Sequence, residues 1–598
     1  MTSRRLQWAF SLVLFLLLLL AARLFHIQVL RGVAFTERAE RQFLQKVVSE
    51  ATRGDILDRK GRVLASSVES RSIYAHPGRF EASPQSLQML GTALNFTEAD
   101  LHAKLSGRSK FVWLARKVSP AVARKIADRK IPGLGSVSEQ KRYYPNGELA
   151  CHLIGPVGLD NSGLSGVEQH YNSFLRGRSV TTRELRDAKG RMIGPGGDRS
   201  PEARMNSVTL SIDRSLQYIA ENELRKAVDE YGAESGMALI QDPGTGEILA
   251  AAGVPGFDLN LLSRGILPEG FANASLRNPL FARVFEPGST FKVVTLAAAL
   301  NERLFSPADV LFCENGRWSP GAGFHINDHE PEGRLTFAQV LEKSSNIGAG
   351  KIGLALGKER FFRYARAFGF GTRTGIQMPG ESDGLLRPPE DWSGVSLPVL
   401  SFGQEIGVTA VQMIGAFSAI ANGGTLMEPM IVKSLQGSGP VAEDEWASGF
   451  LREKGRVRFE PRAVRAVVRP ETARAMRELM ARVVKTGTGR KAAVMGYTVA
   501  GKTGTAQKID HKTGRYHADS YLASFCGFLP AENPALVCLV LLDNPRRTYW
   551  GGETAAPVFA RIMSRTVKVL GIPPDAPSDP RWIRGRSDVR VALSKRDP

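Results

Sequence analysis

Ser289-Thr290-Phe291-Lys292, entered through Glu286-Pro287-Gly288 and followed by Val293, Val294, Leu296 and Ala297–Ala299, is the stretch on which the fold turns. Pro and Gly punctuate the entry and an apolar run follows. The spacing predicts a buried helix with Ser289 in its first turn. Lys292 is three positions on, one turn away on the same face. A serine hydroxyl is a poor nucleophile until a base takes its proton. Lysine normally titrates near ~10.4, too high for a base at neutral pH. Burial and a neighbouring cation lower that value, and Lys502 is the candidate neighbour. The helix N-terminus and the Ser289 N–H favour negative charge on an attacked carbonyl oxygen. Taken alone, the string fits a capping serine beside a solvated lysine better; two further strings reverse that judgement.

The first is Ser344-Ser345-Asn346, at the end of the pattern Leu335-Thr336-Phe337-Ala338-Gln339-Val340-Leu341. Ser344 and Asn346 straddle one residue, so a loop or helix end points both into one cleft. The hydroxyl can relay a proton between Lys292 and a leaving amine, and the amide can hold a peptide carbonyl. The second is Lys502-Thr503-Gly504-Thr505, which extends the β-like run Tyr497-Thr498-Val499-Ala500. A strand edge pairs with an extended peptide. Lys502 and the two threonine hydroxyls then suit a terminal carboxylate, and the Thr505 N–H completes an oxyanion hole. Gly504 lets substrate lie close against the strand.

Two other K-T-G strings read as structural. Lys485-Thr486-Gly487 ends a helix with the face Met476, Leu479, Met480, Val483 and Val484, so Gly487 is expected as its C-cap. Lys512-Thr513-Gly514 sits in a polar stretch and reads as a turn. Gly496 through Thr503 also spells G-x-x-x-x-G-K-T, a formal phosphate-loop match. Its interior is strand-like and no helical pattern follows the lysine, so a nucleotide site is rejected. His325, Asp328, His329 and Glu330 resemble metal ligands, but Pro331 breaks the loop that holds them, and no metal site or cofactor is assigned.

The chain is long enough for several domains, at 598 residues. Its formal charge of +20 admits nucleic acid, anionic lipid or an anionic polymer as partner. No zinc finger, RNA-recognition signature or basic heptad helix is visible, so nucleic acid is not chosen. A solvated basic surface is the favoured reading. Cys151, Cys313, Cys526 and Cys538 form no C-x-x-C pair and read as buried thiols, with Cys526 and Cys538 in successive strand-like runs that make them candidate neighbours. Arg4 and Arg5 precede an apolar run from Trp8 to Ala22, prolonged past Arg23 by Leu24, Phe25, Ile27, Val29 and Leu30. This reads as an uncleaved membrane anchor, with the N-terminus in the cytoplasm and the rest outside. Residues 31–50 are polar and helix-compatible. Arg53 through Ala65 reads as a hairpin closed by Gly61. Later strands are expected at Gly236–Ile240, Glu247–Ala251, Tyr497–Ala500, Leu522–Phe528 and Leu536–Leu542. A last helix is expected from near Pro557 to Gly571, with the face Phe559, Ile562, Met563, Val567 and Leu570. Strands at both ends with helices between suggest one sheet covered by helices.

These strings resemble the class B penicillin-binding proteins, the monofunctional peptidoglycan transpeptidases. The likeness extends to Arg53-Gly54, Asp58-Arg59, Gly61, Arg142, Pro145, Gly147, Gly166 and Glu168 in the first region. In the second it takes in Asp242-Pro243, Thr245-Gly246, Gly403-Gln404, Val408-Thr409, Ala421-Asn422-Gly423-Gly424 and Gly552 with Thr554-Ala555-Ala556-Pro557. Phe285-Glu286-Pro287-Gly288-Ser289 looks like the division-specific branch. The resemblance implies an α+β fold: a transpeptidase domain with a central, mainly antiparallel sheet covered by helices, the penicillin-recognising serine enzyme fold. An elongated α+β pedestal and one transmembrane helix would precede it. The division is then a tail at 1–7, an anchor at 8–30, a pedestal at 31–210, the transpeptidase domain at 211–571 and a basic tail at 572–598. Ser289, Lys292 and Ser344 are implied as catalytic, and Asn346, Lys502, Thr503, Gly504 and Thr505 as substrate-binding. The implied reaction is D,D-transpeptidation of pentapeptide stems ending in D-Ala-D-Ala, with β-lactams as mimics that acylate the same serine. Also implied are a glycosyltransferase partner of the SEDS type, other division proteins and a bacterial cytoplasmic membrane location. A D,D-carboxypeptidase or β-lactamase with the same site, and a non-enzymatic division scaffold, stay open as alternatives.

Overall fold

The computed structural model describes residues 2–35, 38, 44–49, 52–106, 109–176, 180–185, 206–267, 276–321, 323–437, 450–453, 455–509 and 515–576. Lys512-Thr513-Gly514 and most of the C-terminal tail lie outside the described residues. The chain forms two compact units, Met1–Thr52 with Gly177–Met205, and Arg53–Arg176 with Asn206–Pro598.

In the first unit, the helix Thr2–Phe25 continues into one wider turn, His26–Leu30. The segment Ser3–Leu30, with mean hydropathy 2.4, is long and apolar enough to cross a membrane. Leu44–Ser49 is a strand, paired antiparallel with Val180–Leu185. This corrects the helix-compatible reading of residues 31–50. The ladder partner lies far along the chain, beyond the reach of a local pattern.

In the second unit the expected hairpin forms from Asp55–Leu57 and Val63–Ala75. Asp58 closes it by accepting the Lys60 and Arg62 N–H groups at 2.9 Å, and Gly61 takes the positive φ (77°) of the turn. Val63–Ala75 then runs between Val112–Val118 and Leu134–Tyr143. Ile73, Ala75 and Leu114 pack on Leu90, Leu101, Ala123 and Ile126 of three short helices. Ser83, Thr97 and Ser119 cap those helices with side-chain oxygens. Glu168, fully buried, receives Arg53 Nη2 at 2.6 Å and Arg142 Nε at 2.6 Å.

The second half is built on a five-stranded antiparallel sheet in the order Ala500–Ile509, Tyr516–Leu529, Leu536–Asp543, Ser235–Gln241, Ile248–Val254. Alternate residues face opposite sides. Met237, Leu239, Leu539 and Leu541 pack towards the helices Lys292–Asn301 and Ala410–Ala421. Ala238, Ile240, Val540 and Leu542 pack towards Arg214–Tyr231 and Ala555–Leu570. Both faces are covered, so the inner strand Leu536–Asp543 and its neighbours Ser235–Gln241 and Ile248–Val254 read as near-continuous apolar runs rather than alternating ones. The register places Cys526 opposite Leu539 and Cys538 opposite Gly527. The two thiols therefore sit in different cores on opposite faces, buried and free.

One strand is displaced from its predicted place. The run Tyr497-Thr498-Val499 lies before the ladder, which starts at Ala500 opposite Phe528 and continues to Ile509. Thr498 N–H goes instead to Asp575 Oδ1 at 2.8 Å, so that segment finds its hydrogen bonds outside the sheet.

Candidate active site

Gly288–Phe291 is a tight 3-10 turn that runs directly into the helix Lys292–Asn301. Ser289 is thus in the first turn, as its Pro-Gly entry predicts. The Gly288 N–H donates to the Gly403 carbonyl at 2.9 Å. The edge strand Ala500–Ile509 lies across this turn, with the Thr505 carbonyl 3.3 Å from where a Cβ on Gly288 would stand. The 502–505 string is therefore strand, as expected, and strand continues through Ile509. No helix follows Lys502, which removes the phosphate-loop reading on structural grounds.

Ser344 connects the helix Phe337–Glu342 to the helix Asn346–Leu356 with a left-handed backbone (φ 64°). That conformation is costly for a non-glycine residue and marks a constrained turn. Asp328 fixes the turn from outside. Its carboxylate accepts from Ser345 Oγ at 2.5 Å, from the Asn346 N–H at 2.5 Å and from the Ile347 N–H at 3.0 Å. Asp328 is thereby spent on a helix N-terminus. His329 packs its ring on Trp550 at 4.2 Å, so two of the four metal-like residues have other partners.

Lys292 is fully buried and gathers the strings into one network. Its Nζ lies 2.9 Å from Ser289 Oγ, 2.6 Å from the Ser344 carbonyl, 3.1 Å from Ser344 Oγ and 2.7 Å from Asn346 Oδ1. Ser344 Oγ also receives Lys502 Nζ at 2.9 Å, so one hydroxyl bridges two buried amines. Burial pushes the Lys292 amine down to about 7, with Asp328 pulling weakly the other way. Lys502 is driven well below the usual lysine range, first by burial and then by the nearby Lys292. In the neutral Lys292 amine two N–H bonds serve the Ser344 carbonyl and Asn346 Oδ1. The lone pair is left for the Ser289 hydroxyl proton, which is the arrangement a general base needs.

The threonines divide. Thr503 Oγ1 is 3.3 Å from Lys502 Nζ and 2.8 Å from Thr488 Oγ1. Thr505 Oγ1 accepts the Gly551 N–H at 3.1 Å. Gly504 has a different reason to be glycine from the one expected. A Cβ there would stand 2.3 Å from Ser524 Oγ and 3.0 Å from the Pro287 carbonyl. It faces the neighbouring strand and the nucleophile turn, not the open edge. Lys485 is exposed at the end of the helix Pro470–Lys485, where Thr486 takes the C-cap position. Gly487 lacks the left-handed backbone of a C-cap glycine; its Cβ would meet the Glu342 carbonyl at 2.4 Å. Three contributors escaped the sequence reading: Thr488, Asp328 in its anchoring role, and Gly551. Only Asp328 carried a signal, and its chemistry pointed elsewhere.

Residues 236–564 match the penicillin binding protein transpeptidase domain, and residues 48–206 the penicillin-binding protein dimerisation domain. The chain is 33% identical over 95% of its length, and 93% of the relative's, to peptidoglycan D,D-transpeptidase FtsI of Escherichia coli K12. It is 33% identical over 94% of its length, and 85% of the relative's, to stage V sporulation protein D of Bacillus subtilis 168. Penicillin binding protein 3 of Mycobacterium tuberculosis, solved in complex with aztreonam, superposes with a TM-score of 0.66 at 28% identity. That match covers 89% of this chain and 99% of the solved one. With a dimerisation domain ahead of a transpeptidase domain and a serine–lysine centre in the second, this chain belongs to the class B penicillin-binding proteins.

Proposed function

We propose that the chain is a peptidoglycan D,D-transpeptidase working through an acyl-enzyme on Ser289. The observation that carries this reading is the Lys292 amine, buried among Ser289 Oγ, Ser344 and Asn346 and linked through Ser344 Oγ to Lys502. Lys292 takes the Ser289 proton as Oγ attacks the penultimate D-Ala carbonyl. Ser344 passes a proton to the departing D-Ala amine, and the Ser289 and Thr505 N–H groups hold the oxyanion. Lys502, Thr503 and the Thr505 hydroxyl take the terminal carboxylate, and Asn346 takes a peptide carbonyl. The strand Ala500–Ile509 is at the sheet edge, so its free side can pair with the extended stem, while Gly504 keeps that strand tight against the nucleophile. An amine of a neighbouring stem then displaces Ser289. β-Lactams acylate the same hydroxyl.

The same reading extends to the whole chain. Residues 1–7 are a cytoplasmic tail and 8–30 cross the cytoplasmic membrane once. Residues 31–210 form the pedestal, 211–571 the transpeptidase domain and 572–598 a basic tail. The catalytic part works outside the membrane, in septal wall synthesis beside a glycosyltransferase of the SEDS type and other division proteins. Likeness to FtsI supports this branch. Incubation with a fluorescent penicillin tests the enzymology. Stable labelling that Ser289→Ala abolishes and Lys485→Ala retains supports the transferase. Rapid loss of label would make the chain a hydrolase, and no labelling would make it a scaffold.

A further inference from the structure

Glu286 lies three residues before the nucleophile and has no part in the chemistry above. Its carboxylate accepts the Glu405 N–H at 2.8 Å and the Tyr516 hydroxyl at 3.2 and 3.1 Å. Tyr516 stands opposite Ile509, at the end of the cleft strand beyond Thr505. Phe285 pairs with Val408 and Gly288 with Gly403, so the loop carrying Glu286 is fixed on both sides. Among the described residues the titratable groups facing the carboxylate are Tyr516, from the strand Tyr516–Leu529, and Glu405, from the loop after the helix Ser396–Leu400. Glu405 is neutralised by Arg387 Nη2 at 2.7 Å. Among the described residues no lysine or arginine pairs with Glu286. The Lys292 and Lys502 amines thus lie beside Ser289, and towards the Ile509 end of the same strand lies a carboxylate with no lysine or arginine partner among the described residues. Two substrates of opposite charge fit that layout, a stem with a free carboxylate at one end and an ammonium at the other.

Building on the transpeptidase reading, we propose that Glu286 binds the ammonium of the incoming acceptor stem and takes its first proton. The acceptor arrives as R–NH3+ and cannot attack. Transfer of one proton to the Glu286 carboxylate frees the amine lone pair. The nitrogen bonds to the acyl carbon, the ester bond to Ser289 Oγ breaks, and the second amine proton returns to Ser289 through Lys292. Burial raises the Glu286 carboxyl to about 7, against the pull of the Glu405 N–H and the Tyr516 hydroxyl, which suits proton acceptance near neutrality.

The test uses the full-length protein in detergent, a thioester acyl donor and meso-diaminopimelate as amine acceptor, with transfer and hydrolysis products both quantified from pH 5 to 9. In wild type, the transfer-to-hydrolysis ratio rises with pH through about 7 as Glu286 ionises. In Glu286→Gln that limb disappears, the acceptor KM rises about tenfold or more, and product shifts to hydrolysis. Tyr516→Phe removes a hydrogen bond that favours the carboxylate, so its limb moves to higher pH. An unchanged acceptor KM and pH profile in Glu286→Gln, or an unmoved limb in Tyr516→Phe, would overturn the proposal. Should Glu286→Gln fail to fold, the Tyr516→Phe profile decides alone. Absence of any acyl-enzyme in wild type would instead sink the transpeptidase reading.

Discussion

The Lys292 amine meets four oxygen atoms with no carboxylate among them. A buried ammonium without a counter-ion is costly, so the proton is released near neutrality rather than near 10.5. The active base is the neutral form. Acylation by a penicillin is expected to rise with pH through about 7, and Lys292→Arg, which stays charged, to lose about a thousandfold in stopped-flow rate. Gly504 makes a second residue-level prediction. A Cβ there would stand 2.3 Å from Ser524 Oγ and 3.0 Å from both the Pro287 carbonyl and Thr290 Cγ2. Gly504→Ala is expected to push the edge strand off the nucleophile turn. The acylation rate should fall at least tenfold and stability by about 1–3 kcal/mol, read by labelling kinetics and denaturant melts.

Helix Arg214–Tyr231 shows what a local signal sets and what it leaves open. Asp213 precedes it and caps it, accepting the Ser215 N–H at 2.7 Å, as an acidic residue before an apolar-periodic run suggests. The same carboxylate also binds Lys60 and Arg62 from the distant hairpin at 2.8 and 2.9 Å. No pattern in the sequence links those positions. Burial alone would raise Asp213, but Lys60, the Ser215 N–H and Arg62 hold it down at about 2. Its folded value lies below the ordinary 3.8, so its contribution is complete above about 3.8 and lost as pH falls towards 2. Thermal melts from pH 2 to 6 should show this acid-labile component in wild type and lack it in Asp213→Asn. The variant should also be about 1–2 kcal/mol less stable near neutrality.

At the scale of the whole molecule, Glu168 ties together distant parts of the larger compact unit. Arg53, just before the strand Asp55–Leu57, and Arg142, in the strand Leu134–Tyr143, converge on it and leave no exposed charge. Glu168→Gln strands two buried guanidinium groups and is expected to cost about 3–5 kcal/mol, seen as a lowered melting temperature, while protein that remains folded still labels at Ser289. The sequence alone determined the chemistry: three strings in order, each on the element its role requires, and a sheet with two covered faces. Local periodicity and punctuation carry that information because hydrogen bonding and burial act over a few residues at a time. Tertiary structure decided the rest. It put Ser344 Oγ between two lysines, turned Gly504 towards Ser524, set Cys526 and Cys538 on opposite faces and gave Asp328 to a helix end. Each of these depends on register and on contacts between residues far apart in the chain, where a one-residue shift reverses a side chain's direction and no neighbouring residue signals which way it points.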